Sequence, residues 1–219
     1  MTGDERLREE KTTTAEDPDY DQHGGFPVFE PASPGPGFGP FLASMRRLQD
    51  LAVSADPDSD TWVDAAARVE ELVKLLDPFE APEGVGPANR VPTLPGSGSL
   101  LMPPYRVTRF ESDGVELTVQ FSRFHVGGNS AVHGGVLPLL FDSTFGMVIH
   151  AAGRPISRTG FLHVDYRSVT PIDTQLKVRA WIRSVEGRKA FVNAELRRPD
   201  GRLCAESNGL MVRLLPGQP

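Results

Sequence analysis

Hydrophobic positions along the second half of the chain alternate with polar ones. Val178, Ala180 and Ile182 interleave with Lys177, Arg179 and Arg183. Ala190, Val192, Ala194 and Leu196 interleave with Asn193, Glu195 and Arg197. Period two marks a strand with one covered face. The same texture predicts strands over 105–111, 115–124, 159–169, 176–186, 189–198 and 203–214. Ser112-Asp113-Gly114, Glu186-Gly187-Arg188 and Pro199-Asp200-Gly201 read as turns between them. One long apolar run, 135–152, breaks the pattern and predicts a helix. Gly153, with Pro155 beyond it, ends that helix, and Pro138 is tolerated only in a first turn. The helix therefore starts near Gly135 or Val136. A strand pair, one helix and four more strands make an α+β fold. The economical arrangement is an antiparallel sheet of about six strands wrapped around one long central helix.

The first half reads differently. Phe41, Leu42, Met45, Leu48, Leu51 and Ala52 share a helical face and predict a helix over 41–53. A second helix is expected over 61–76, with Thr61 as N-cap and Asp64 three residues on. Its Val63, Ala66, Val69, Val73 and Leu76 form a face that could pack on another surface. Segments 26–40 and 78–104 are dense in proline and glycine and read as extended linker and loop. Residues 1–25 have almost no apolar content and are expected to be disordered. The expected organisation is thus an acidic tail (1–25), an N-terminal helical and loop extension (26–104) and a sheet domain (105–215).

Charge and composition narrow the function classes. Of 219 residues, 29 are acidic and 23 basic, a net charge of −6. Eight acids against three bases within residues 1–25 carry most of it. A general nucleic-acid binder or a polybasic membrane binder is not expected. No run approaches the ~18 apolar residues of a membrane span, and no secretory signal is visible, so a cytoplasmic protein is expected. The single cysteine, Cys204, excludes an intrachain disulfide framework and reads as a core residue of a strand. His125, His150 and His163 lack metal-ligand spacing, so no metal and no separate cofactor are expected. There is no Gly-x-Ser-x-Gly elbow of a serine hydrolase.

The chemistry concentrates around the long helix. His133-Gly134-Gly135 sits at its N-terminus, where glycines let a ligand reach backbone N–H groups at the positive end. The tripeptide alone means little, because His23-Gly24-Gly25 repeats it in the tail with no helix behind it. What is specific is the tripeptide, an apolar helix and an acid nine residues after the histidine. That acid, Asp142, lies in a helix apolar nearly all round and is expected to be buried. Either a neighbouring hydroxyl or cation satisfies it, or it is a general base or nucleophile. Asp142 lies eight residues after Gly134, roughly 10–12 Å along a helix. One helix cannot bring both groups to one carbonyl, whereas a second, antiparallel copy can.

This combination resembles the hotdog-fold acyl-CoA thioesterases of the phenylacetate-pathway and thioesterase-superfamily-member-4 type. The resemblance covers residues 105–215. It rests on His133-Gly134-Gly135, Asp142-Ser143-Thr144, Gly146-Met147, Val164-Asp165-Tyr166, Val185-Glu186-Gly187-Arg188-Lys189 and Asp200-Gly201-Arg202. It implies that Asp142 drives water onto the thioester and that the Gly134 N–H stabilises the oxyanion, with His133 and Gly135 beside it. It implies that Thr159 flanks the site. It puts coenzyme A contacts at Asp165, Arg167, Arg188 and Lys189, with Asn129 among the substrate-binding residues. Coenzyme A enters as part of the substrate. A homodimer, or a dimer of dimers, with two equivalent sites is implied. The alternative is a non-catalytic acyl-CoA-binding or regulatory hotdog protein; an acyl-CoA hydrolysis assay separates the two.

Overall fold

Alternation of covered and bare positions is what the strands show in a computed structural model, which describes residues 30–82 and 84–215. The acidic tail lies outside the described residues. The described residues form eight strands: β1 (Arg106–Glu111), β2 (Gly114–Gln120), β3 (Val126–Gly128), β4 (Ala131–Val132), β5 (Ser157–Tyr166), β6 (Gln175–Glu186), β7 (Lys189–Arg197) and β8 (Leu203–Arg213). Six make one antiparallel sheet in the order β1-β2-β6-β7-β8-β5, and β3 and β4 form a separate small hairpin. Among the described residues three α-helices accompany them: α1 (Phe38–Ala52), α2 (Ser59–Leu76) and α3 (Val136–Ala151). The sheet wraps around α3, as the sequence pattern predicts.

The core lies between α3 and the inner face of the sheet. Leu137, Leu140, Phe141, Phe145, Val148 and Ile149 of α3 pack against Val115, Leu117, Val119, Val178, Ala180, Val192, Leu196 and Met211. Cys204 is among the buried residues of β8. Gly209 is required by this packing: a Cβ there would come within 2.5 Å of the Phe145 ring. At the other end of α3, Gly153 adopts φ +64° and its N–H bonds to the His150 carbonyl. This left-handed residue ends the helix where the sequence places its stop.

Four expectations need correction. Helix α1 begins three residues early, at Phe38, because Pro40 falls in the first turn, where no N–H is missed. Helix α2 is capped by Asp58, not Thr61: the Asp58 carboxylate accepts the Thr61 N–H at 2.8 Å. No residue of α2 is buried within the protomer, and Trp62 is 44% exposed. The segment after β2 leaves the sheet at Phe121, turns through a short 3-10 helix (Arg123–His125) and enters the β3–β4 hairpin.

The extension is tied to the domain through α1. Leu42 is its buried anchor. Arg46 reaches across to the 95–102 loop, where its Nη2 donates to the carbonyls of Ser99 (2.6 Å), Met102 (3.1 Å) and Pro95 (3.4 Å). The Asp50 carboxylate accepts the Phe124 N–H at 3.0 Å. A cavity of about 450 Å³ lies beside these contacts, lined by Leu42, Arg46, Asp50, Pro95, Ser122 and His125 among others. It contains none of the candidate site residues.

Candidate active site

Helix α3 opens without a side-chain cap on its own N-cap residue, Gly135. The backbone polar groups of the preceding turn nevertheless find partners, with one exception. The His133 N–H bonds to the His125 carbonyl at 2.8 Å. The His133 carbonyl accepts the Val136 N–H at 3.0 Å. The Gly135 N–H donates to His133 Nδ1 at 3.0 Å. The Gly134 carbonyl accepts the Tyr166 hydroxyl at 2.9 Å and, more weakly, the Leu137 N–H at 3.3 Å. Only the Gly134 N–H has no acceptor among the described residues. Of the three residues named for the oxyanion, two have their N–H groups committed within the chain and one is bare. A bare N–H at the positive end of a buried helix is a donor preorganised for a developing negative charge.

Asp142 is not buried in the protomer, contrary to the sequence expectation. The sheet curls over most of α3 but leaves one stripe open. Gly135, Asp142, Gly146 and His150, spaced by seven, four and four, lie on that stripe and are exposed. The Asp142 carboxylate is held there by Thr159, whose hydroxyl donates to Oδ1 at 2.6 Å. Thr159 stands near the start of β5, at a bulge that shifts the β5–β8 register between Thr159 and Phe161. The bulge lets both Thr159 and, further along, Leu162 and Val164 face the helix. The structure thus joins Asp142 to Thr159. It does not join Asp142 to Gly134: Val136 and Asp142 are separated by about 9 Å of helix axis.

The other predicted residues are scattered. Asn129 forms the tip of the β3–β4 hairpin with Ser130, both at positive φ, and is exposed. Asp165 lies on the outer face of the sheet opposite Glu206. Arg167 is bound there: Nε and Nη2 donate to Glu206 Oε1 at 2.8 and 2.5 Å, and Asp165 lies 3.4 Å away. These two carboxylates raise its pKa, through the Glu206 hydrogen bond first. Arg188 and Lys189 are exposed in the β6–β7 turn, where Arg188 donates to the Arg213 carbonyl at 3.2 Å. Tyr166, on the helix-facing side of β5, received no role in the sequence reading. Its partner is 32 residues away, and no local spacing signals it.

An antiparallel sheet wrapped on one helix, with a bare glycine N–H at the helix start and a hydroxyl-held acid on its open stripe, defines a hotdog protein. Residues 129–205 match the model of the thioesterase superfamily. The six-stranded sheet around α3 is thus a hotdog fold, and residues 129–205 are similar to the thioesterase superfamily. It is 32% identical to acyl-coenzyme A thioesterase THEM4 of Rattus norvegicus over 89 residues, 40% of this chain and 38% of that protein. It is 30% identical to the Xenopus laevis protein of the same name over 86 residues, 38% of each chain. The matched stretch thus spans well under half the length of these curated relatives. A crystal structure of a thioesterase superfamily protein superposes with a TM-score of 0.69 at 25% identity, covering 84% of this chain and 94% of that one. That share exceeds the sheet domain, so the likeness reaches into the N-terminal extension. Among the described residues, no helix is long and apolar enough to cross a membrane.

Proposed function

We propose that this protein hydrolyses an acyl-CoA thioester to the free acid and coenzyme A, working as a homodimer with two equivalent sites. The observation that carries the reading is the Gly134 N–H, the one backbone donor of the turn without an acceptor among the described residues. The thioester oxygen accepts that N–H. Water attacks the carbonyl carbon while Asp142 of the second copy takes its proton, and Thr159 fixes the carboxylate in one orientation. The tetrahedral intermediate collapses and expels the coenzyme A thiolate, which recovers the proton held by Asp142. The developing oxyanion is where a preorganised dipole contributes most, because it gains charge only on the way to the transition state.

Two features support the second copy. The open stripe of α3 and the strand β5 form one continuous surface, joined by the Asp142–Thr159 and Gly134–Tyr166 contacts. β5 is also an edge strand of ten residues with Phe161 and Tyr166 exposed, and a long bare edge invites pairing. Arg188 and Lys189, exposed in a glycine-bearing turn, suit the phosphates of coenzyme A. Arg167 is less suited, because Glu206 and Asp165 already occupy it.

The test is Asp142→Asn against a panel of acyl-CoA esters, read by thiol release. Turnover is expected to fall by about 10²–10⁴ with acyl-CoA binding retained. Turnover of the folded variant within about tenfold of wild type contradicts the role of Asp142.

A further inference from the structure

We infer that Tyr166 is a positioning residue that aims the Gly134 N–H at the substrate carbonyl. The inference rests on the proposed thioester hydrolysis and names a part of that same site. Two consecutive glycines precede α3, and glycine carries no Cβ to restrict rotation of its flanking peptides. A donor on such a segment is useful only if something else fixes it. The Gly134–Gly135 peptide is gripped at both ends by side chains. Its carbonyl accepts the Tyr166 hydroxyl at 2.9 Å, and its N–H donates to His133 Nδ1 at 3.0 Å. The preceding peptide, which carries the bare N–H, shares the Gly134 Cα with it and is held at its own carbonyl by Val136. Locking one peptide plane therefore sets the direction of the next. A Cβ at Gly134 would meet the Tyr166 hydroxyl at 3.3 Å, so the phenol lies over the residue it holds. The rest of Tyr166 is 57% exposed and adds little to the core. Its hydroxyl bonds to the backbone of the candidate oxyanion donor.

Tyr166→Phe removes one oxygen and leaves the ring. Three readouts decide its role. The variant is expected to lose about ten- to thirtyfold in kcat, a part of the 10²–10³ that loss of a whole oxyanion donor costs. KM for the acyl-CoA is expected to stay within about twofold, because the ground-state carbonyl uses the donor weakly. Amide resonances of Gly134 and Gly135 are expected to broaden while those of the α3 interior stay sharp. An unchanged kcat overturns the inference. So does a rise in KM alone, which would make Tyr166 a substrate contact, or a fall in kcat that follows the folded fraction.

A second experiment covers a variant that folds poorly. A fluorinated tyrosine at position 166, with a phenol that ionises near neutral pH, keeps the shape but loses its donor proton as pH rises. An added fall in kcat across that titration, absent from wild type, is the expected result; a profile parallel to wild type overturns the inference. The Asp142→Asn assay separates the two levels. If the wild-type protein releases no thiol from any acyl-CoA ester in that assay, the proposed reaction is wrong; if it does, and Asp142→Asn lowers turnover while Tyr166→Phe does not, only the positioning role is.

Discussion

Thr159 and Asp142 form the shortest link between sheet and helix at the site, 2.6 Å between a hydroxyl and a carboxylate oxygen. Because the pair is exposed, it contributes to orientation more than to stability. Thr159→Val should lower kcat by about ten- to a hundredfold while changing unfolding free energy by under ~1 kcal/mol, measured by steady-state kinetics and urea denaturation. His125 behaves oppositely. It is 9% exposed, packed between the Phe121 and Phe124 rings, and its Nδ1 accepts the Ser122 N–H at 3.1 Å. Burial lowers its pKa, Arg46 adds to the effect, and Asp50 opposes it. The unfolded chain therefore takes up the proton first as pH falls below about 6.5, while the native imidazole stays neutral. Stability is lost over that window and not above it. The urea midpoint of wild type should fall between about pH 7.5 and 5.5, and His125→Gln should show a shallower fall. Equal slopes would contradict this origin.

Helix α1 is held by polar contacts as well as by its apolar stripe. Arg46 Nη2 reaches three carbonyls of a loop about fifty residues away, and no carboxylate pairs with it among the described residues. Arg46→Met should cost about 1–3 kcal/mol, because carbonyls turned inward lose their donor. Thermal unfolding would check it, with a fall of several degrees expected for a chain of this size. This contact also marks what the sequence could not disclose. Helix α3 was legible to within a residue, because Pro138 and Gly153 fix its ends through backbone chemistry that acts locally. The six long strands were legible through alternation. The β3–β4 hairpin was not: two or three residues are too few for a period. The Asp58 cap was missed because Thr61 is also a good cap. At the site, the sequence brought Asp142, Gly134 and Thr159 forward through resemblance and spacing. Tyr166 and Arg46 stayed hidden because their partners are distant in the chain. The exposure of Asp142 was misread for another reason. Its apolar neighbours make the whole helix read as covered, whereas the stripe of Gly135, Asp142, Gly146 and His150 stays open.

At the scale of the molecule, two surfaces stay open among the described residues: the α3–β5 surface and the apolar face of α2. The first holds both halves of the proposed chemistry, and they are too far apart on one helix to meet at one carbonyl. A two-fold axis that sets two α3 helices antiparallel brings the Gly134 of one copy beside the Asp142 of the other, twice over. On the proposed reading, catalysis is a property of the pair of chains. Complementation tests it most directly. Asp142→Ala and Gly134→Pro, each shown to fold and dimerise alone, are inactive by this account: the first lacks the base and the second the donor N–H. When they are mixed and allowed to exchange subunits, random pairing makes half the dimers mixed. Each mixed dimer has one site with both groups intact and one with neither. The account predicts recovery of about a quarter of wild-type turnover. No recovery, in the presence of demonstrated mixed dimers, would mean that Gly134 and Asp142 act within one chain and would contradict the two-chain site.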